Sequence, residues 1–90
     1  MQHLKIVVKG RVQGVYFRFY TQKAAKKLNI TGTVKNRTNG NVEIHATGEE
    51  QNMQEFVQWC HKGPLLAHVK TITQSPVPRP SLYIDFTIID

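Results

Sequence analysis

The feature that most constrains the fold is the alternation of two hydrophobic periods within only 90 residues. Apolar residues recur at helical spacing in two segments, and strand-like runs precede and follow each of them. The helical stripes are Phe17, Tyr20, Ala24 and Leu28 in the first segment, and Met53, Phe56, Val57 and Cys60 in the second. Because no repeat, low-complexity tract or linker interrupts the pattern, we expect residues 1–90 to form a single domain.

Five strand-like runs surround the two predicted helices. They are Leu4 to Val8, Thr31 to Lys35, Asn41 to Thr47, His68 to Gln74, and a final alternation of Leu82, Ile84, Phe86 and Ile88. Asn39 followed by Gly40 predicts a tight hairpin turn between the second and third runs. Pro76, Pro78 and Pro80 predict a loop before the last strand.

The boundaries of the second helix are also marked. Thr47 and Glu50 have the spacing of a capping box, which would begin the helix. Gly63 and Pro64 predict its end.

The resulting order is strand, helix, strand, strand, helix, strand, strand. It predicts an α+β fold of the split βαβ type, βαββαβ plus a C-terminal strand. In this ferredoxin-like α/β sandwich, an antiparallel sheet carries two helices on one face. Many unrelated functions share the arrangement, so the function has to be argued from a site.

The segment from Gly10 to Arg18 joins the first strand to the first helix and has the composition of an anion cradle. A glycine-bearing curl and the first turn of a helix both leave backbone N–H groups unpaired, and a phosphate placed there would meet several donors. The Arg18 guanidinium can hold two oxygens at once. The glycines fit neither the Walker spacing nor a dinucleotide fingerprint, so a nucleotide-binding loop is excluded.

The overall charge favours anionic partners. The formal net charge is +6, which suits a phosphorylated metabolite, a nucleic acid or an acidic membrane surface equally well. The single cysteine, Cys60, excludes an internal disulfide, and its place on an apolar stripe predicts a buried, inert thiol. Since no signal peptide or membrane span is evident, we expect a cytoplasmic protein. The four histidines have no metal-ligand spacing, and no metal or cofactor is expected.

On the residues Gly10 to Arg18 and Gly32 to Asn36, the chain resembles the acylphosphatase family. The resemblance extends through Asn39 and Gly40, through Gly48, Phe56 and Trp59, and along the Gly63, Pro64, Ala67 and Val69 run, so it covers nearly the whole chain. It implies hydrolysis of acyl phosphates to carboxylate and inorganic phosphate, without a metal or a covalent intermediate, and with broad tolerance of the acyl group.

The resemblance also implies roles for particular residues. The phosphate would be bound by the main-chain N–H groups of Gln13, Gly14, Val15, Tyr16 and Phe17 and by the side chain of Arg18. Asn36 would position the attacking water, so that Arg18 and Asn36 form the catalytic pair. Tyr16 stands where many acylphosphatases have glycine, and a positive φ there would strain a tyrosine by about 1 kcal/mol or more. Arg37, next to Asn36, is interpreted as an exposed hairpin residue.

The chemistry explains why no general acid is evident. A carboxylate leaving group, whose acid has a pKa of about 4, departs without being protonated. Phosphoryl transfer then requires mainly charge neutralisation and alignment. The expected partner is a small acyl phosphate, with inorganic phosphate or sulfate as a competing anion, and the protein is expected to be a monomer.

Two alternatives remain at this point. A small RNA-binding module can share the element order and the basic charge, but it would stack bases on aromatic residues of its central strands. The aromatic residues here fall in the two helices and the last strand. A protein that senses phosphorylated metabolites without hydrolysing them is the second alternative, and the presence of both Arg18 and Asn36 argues against it.

Overall fold

The computed structural model describes residues 1–78 and 81–90, and its elements follow the predicted order. The strands are β1 (Gln2–Arg11), β2 (Thr31–Asn36), β3 (Val42–Gly48), β4 (His68–Pro76) and β5 (Phe86–Ile88), and the helices are α1 (Phe17–Lys27) and α2 (Glu50–Lys62). Pro80, part of the predicted proline loop, lies outside the described residues. The α+β class and the ferredoxin-like arrangement are confirmed.

The strand order in the sheet is β4-β1-β3-β2-β5. The first four of these strands are antiparallel neighbours, as predicted, but β5 pairs with β2 in parallel. The sheet is therefore mixed rather than wholly antiparallel. The reason is the path of the chain: β4 and β5 lie at opposite edges of the sheet, and the chain enters β5 beside β2 and in the same direction as β2.

The last strand is shorter than its sequence pattern predicted. Leu82, Ile84, Phe86 and Ile88 form one alternating apolar pattern in the sequence. Leu82 and Ile84, however, are 94% and 101% exposed, and neither lies in a strand. Pairing begins only at Phe86, opposite Gly32, near the start of β2. An alternating pattern cannot show where a partner strand is available. Here the partner is β2, and its pairing with β5 starts at Gly32, opposite Phe86, so Leu82 and Ile84 lie before the paired region.

The core lies between the helices and one face of the sheet. Ile6, Ile44 and Val34 lie side by side on β1, β3 and β2, and all three are fully buried. The predicted stripe of α2 is confirmed, since its four residues are buried against this face. Cys60 is among them, and burial raises the pKa of its thiol, as expected for an inert cysteine.

Helix α1 buries a face that is rotated from the predicted one: of the predicted stripe, Phe17 is buried, and Ala24 and Leu28 are half-buried. The residues of α1 that are buried in the core are Phe17, Thr21 and Ala25, whereas Tyr20 is 42% exposed. Thr21 can be buried because its hydroxyl donates a hydrogen bond to the carbonyl oxygen of Phe17, at 2.7 Å. Because a polar residue, Thr21, occupies a core position, the spacing of apolar residues alone predicted the wrong orientation of α1 about its axis.

The predicted capping box is wrong. Thr47 lies within β3, where its hydroxyl is 2.9 Å from the His3 ring, and α2 begins at Glu50 after Glu49, which makes no side-chain cap. The Asn39–Gly40 turn is present in its predicted place. There the Arg37 N–H donates to the carbonyl oxygen of Asn41 at 2.8 Å.

Candidate active site

The loop between β1 and α1 curls tightly. Gly14 has a φ of 76° and Tyr16 a φ of 62°, so two residues of the loop adopt left-handed backbone conformations. Tyr16 is also the N-cap of α1, and its φ of 62° and ψ of 25° place it in the left-handed helical region. A curl of this kind, followed by a helix N-terminus, leaves backbone N–H groups free to meet an anion.

A cavity of about 400 Å³ opens beside this loop. Its walls are formed by the loop and the start of α1, together with the ends of β2 and β5; the residues are Val12, Gly14, Tyr16, Phe17, Arg18, Phe19, Asn36 and Ile88. Arg18 and Asn36, which belong to different elements, thus line one cavity. Ile88 reaches it only because β5 pairs with β2, a contact that the sequence analysis did not predict.

Asn36 is the last residue of β2. Its side-chain Oδ1 is buried, and among residues 1–78 and 81–90 it has no hydrogen-bond partner. Buried amide oxygens are nearly always paired, and an unpaired one at the wall of a cavity is a place for a water or ligand donor. The side chain is therefore available to bind a small polar group.

Arg18 is the second residue of α1 and is half-buried. Within the part of the chain that the structure describes, no carboxylate lies within ion-pair distance of its guanidinium. Its positive charge, next to the helix N-terminus, thus has no counter-charge among the described residues. Such a site favours an anion.

Arg37 differs from Arg18 both in its ion pairing and in its position relative to the cavity. Its Nε lies 3.3 Å from Oε1 of Glu43, and it is not part of the cavity wall. Arg37 is therefore ion-paired within the protein, and it is half-exposed rather than the exposed hairpin residue that was expected.

Two of the predicted phosphate-binding residues do not line the cavity. The side chain of Gln13 turns to the hairpin and donates from Nε2 to the carbonyl oxygens of Arg37, at 2.7 Å, and Asn41, at 2.8 Å. Val15 borders a neighbouring groove. Gln13 thus ties the loop to the residue that follows Asn36, a connection that no sequence signal indicated.

Glu43 forms a charged cluster beside the hairpin. It is 8% exposed, its Oε2 accepts a hydrogen bond from His45 Nε2 at 2.9 Å, and Lys35 Nζ lies 3.9 Å from the same oxygen. Burial alone would raise the pKa of the Glu43 carboxyl, but the His45 hydrogen bond and the charges of Lys35 and Lys5 hold it below its ordinary value. No sequence pattern indicated this cluster.

Other classes of site find no support in the described residues. In residues 1–78 and 81–90, no group of three or more His, Cys, Asp or Glu could hold a metal ion. Strands β1, β2 and β3 carry no Phe, Tyr or Trp on which a nucleic-acid base could stack. Neither helix is long and apolar enough to cross a membrane.

Comparison with known proteins identifies relatives over almost the whole chain. The family model named Acylphosphatase matches residues 4–88. An acylphosphatase from Thermotoga petrophila is 43% identical over 88 residues, which are 98% of this chain and 97% of the relative. An acylphosphatase from Legionella pneumophila strain Corby is 40% identical over 86 residues, 96% of this chain and 93% of the relative.

Solved structures agree with the sequence relatives. The crystal structure of acylphosphatase from Bacillus subtilis superposes with a TM-score of 0.96 at 38% identity, and the match covers 100% of both chains.

Proposed function

The chain belongs to the acylphosphatase family, and from this premise we propose that Arg18 and Asn36 are the two side chains with which it hydrolyses acyl phosphates. The observation that carries the proposal is their convergence. They come from α1 and β2, yet they line one cavity beside a curled loop, and among the described residues the charge of Arg18 and the buried Oδ1 of Asn36 have no partner.

The loop and Arg18 bind the phosphate group of the substrate. We assign the main-chain N–H groups of residues 13–17 to the phosphate oxygens, because the left-handed conformations of Gly14 and Tyr16 curl this segment just before the N-terminus of α1. Gly14, Tyr16 and Phe17 line the cavity itself, and Gln13 and Val15 belong to the same curl. The guanidinium of Arg18 adds two parallel donors and a positive charge. Loss of one such donor raises the barrier by roughly 3 to 4 kcal/mol.

Asn36 orients the water that attacks phosphorus. Its amide can accept a hydrogen bond through Oδ1 and hold the water in line with the bond to be broken. As the new P–O bond forms, the bond between phosphorus and the acyl oxygen breaks, and the electron pair leaves on the carboxylate. The proton of the water passes to phosphate or solvent, since a neutral amide is not a base.

The decisive experiment follows the loss of ultraviolet absorbance of benzoyl phosphate, with a chelator present throughout. We expect rapid turnover by the wild type. Asn36→Ala should abolish turnover and keep its affinity for inorganic phosphate, measured by calorimetry, whereas Arg18→Ala should lose both.

Matched control variants show whether the losses of turnover and of phosphate binding are specific to the cavity or follow from any substitution in the protein. Asn52→Ala removes an amide from α2, away from the cavity, and Lys23→Ala removes a positive charge from the exposed side of α1. Both should turn over substrate at the wild-type rate. Equal loss of phosphate binding in Asn36→Ala and Arg18→Ala would contradict the division of roles, and a folded but inactive wild type would contradict the function.

We propose a single domain over residues 1–90, a monomer, a cytoplasmic location, and hydrolysis without a metal. Inorganic phosphate and sulfate should compete with substrate, since either anion can occupy the loop.

A further inference from the structure

A second depression adjoins the cavity. It is an open groove of about 460 Å³ between α1, the last turns of α2 and the turn that follows α2. Its walls include Val15, Tyr16, Tyr20, Trp59, Leu65 and Leu66. We call it the 16/59/65 groove.

The groove continues from the cavity. Tyr16 lines both depressions, and Val15 of the same loop borders the groove. Trp59 is held against Phe17, with ring centroids 5.6 Å apart, and Phe17 is itself a wall of the cavity. One small molecule could therefore place its phosphate in the loop and its organic part in the groove.

The chemistry of the walls selects an uncharged, apolar occupant. Among the described residues, those that form the groove are apolar or aromatic, and none carries a charge. Leu65 and Leu66 are 98% and 65% exposed, although large apolar side chains gain free energy when they are covered. Ligand pockets in proteins typically combine such apolar walls with a few polar anchors.

The position of the groove also suits the direction of the reaction. In an in-line displacement, the leaving group departs on the side of phosphorus opposite to the attacking water. Asn36, which would hold that water, lines the cavity but not the groove. The leaving acyl group can then extend past Tyr16 into the groove.

We propose that the 16/59/65 groove binds the acyl part of the substrate and favours aromatic or branched apolar acyl groups over small or charged ones. This inference rests on the proposed function of the cavity. Leu65 and Leu66 are then specificity-determining residues, and they take no part in the bond-breaking step.

The test compares kcat/KM for benzoyl phosphate and acetyl phosphate in the wild type and in the double variant Leu65→Ala/Leu66→Ala. Both side chains are exposed, so their truncation leaves no internal cavity. We expect the benzoyl-to-acetyl ratio to fall about tenfold, mainly through KM for benzoyl phosphate, as expected when methyl groups are removed from an apolar subsite. Leu82→Ala, which truncates an equally exposed leucine outside the groove, should keep the wild-type ratio.

Competition experiments give a second readout. Benzylphosphonate should inhibit the wild type more strongly than methylphosphonate does, and the double variant should lose most of that difference. An unchanged ratio, or an equal fall for both substrates, would overturn the inference while leaving the proposed function intact. A shift of oligomeric state with an unchanged ratio would assign the groove to self-association instead, and a wild type inactive on both substrates would remove the proposed function and this inference with it.

Discussion

The side-chain amide of Gln13 donates hydrogen bonds to the carbonyl oxygens of both Arg37 and Asn41, at 2.7 and 2.8 Å. These bonds clamp the loop before α1 onto the hairpin that begins directly after Asn36. The two halves of the candidate site, which are distant in the sequence, are therefore joined by one side chain. Preorganisation of this kind matters because small displacements of positioned groups cost large factors in rate.

Removal of this clamp should damage catalysis more than stability. In Gln13→Ala, both carbonyl oxygens keep a backbone partner, since Arg37 O still accepts from the Gly40 N–H and Asn41 O from the Arg37 N–H. We therefore expect a loss of only about 1 kcal/mol in the free energy of unfolding, measured with urea. The kcat for benzoyl phosphate should fall by about tenfold or more, because the loop and Asn36 lose their fixed separation. Gln54→Ala, in α2, is the control, and a Gln13→Ala variant with wild-type kcat would show that the clamp is not needed.

Tyr16 adopts a backbone conformation that strains a residue with a side chain. At a φ of 62°, replacement by glycine should stabilise the protein by about 1 kcal/mol, since the ring is 71% exposed and little packing is lost. Thermal unfolding measures the gain. Asn29→Gly, at a φ of 57°, is the matched comparison and should gain less, because asparagine tolerates this region. A Tyr16→Gly variant less stable than the wild type would mean that the ring contributes more packing than its exposure indicates.

Glu43 should make the protein sensitive to acid. Its pKa in the folded state lies below the ordinary value of 4.5, so the unfolded chain binds a proton more readily than the folded chain does. The stability from this group is fully present above pH 4.5 and is lost as the pH falls through the folded-state pKa. Glu43→Gln should therefore flatten the decline in unfolding free energy below that pH, measured by urea titrations from pH 7 downwards. Glu55→Gln, in α2, serves as the control, and parallel declines in Glu43→Gln and the wild type would refute the assignment.

The sequence by itself determined the order of elements, the α+β class and the stripe of α2. Local periodicity carries this information, because a helix or strand that packs on one side must repeat its apolar residues at its own period. The strand-turn-helix segment ending at Arg18 could be located for the same reason, and the turn at Asn39 and Gly40 from the preference of these two residue types for tight turns. The resemblance of two motifs to a family added Asn36, which its residue type alone did not single out.

Only the tertiary structure decided which residues meet. The parallel pairing of β5, the rotation of α1 that buries Thr21, and the late start of β5, which leaves Leu82 and Ile84 outside the strand, depend on partners that lie far away in the sequence. The Gln13 clamp and the junction of cavity and groove at Tyr16 are of the same kind. Hydrogen bonds and cavity walls form between surfaces brought together by the whole chain, and no local pattern records which surfaces those are.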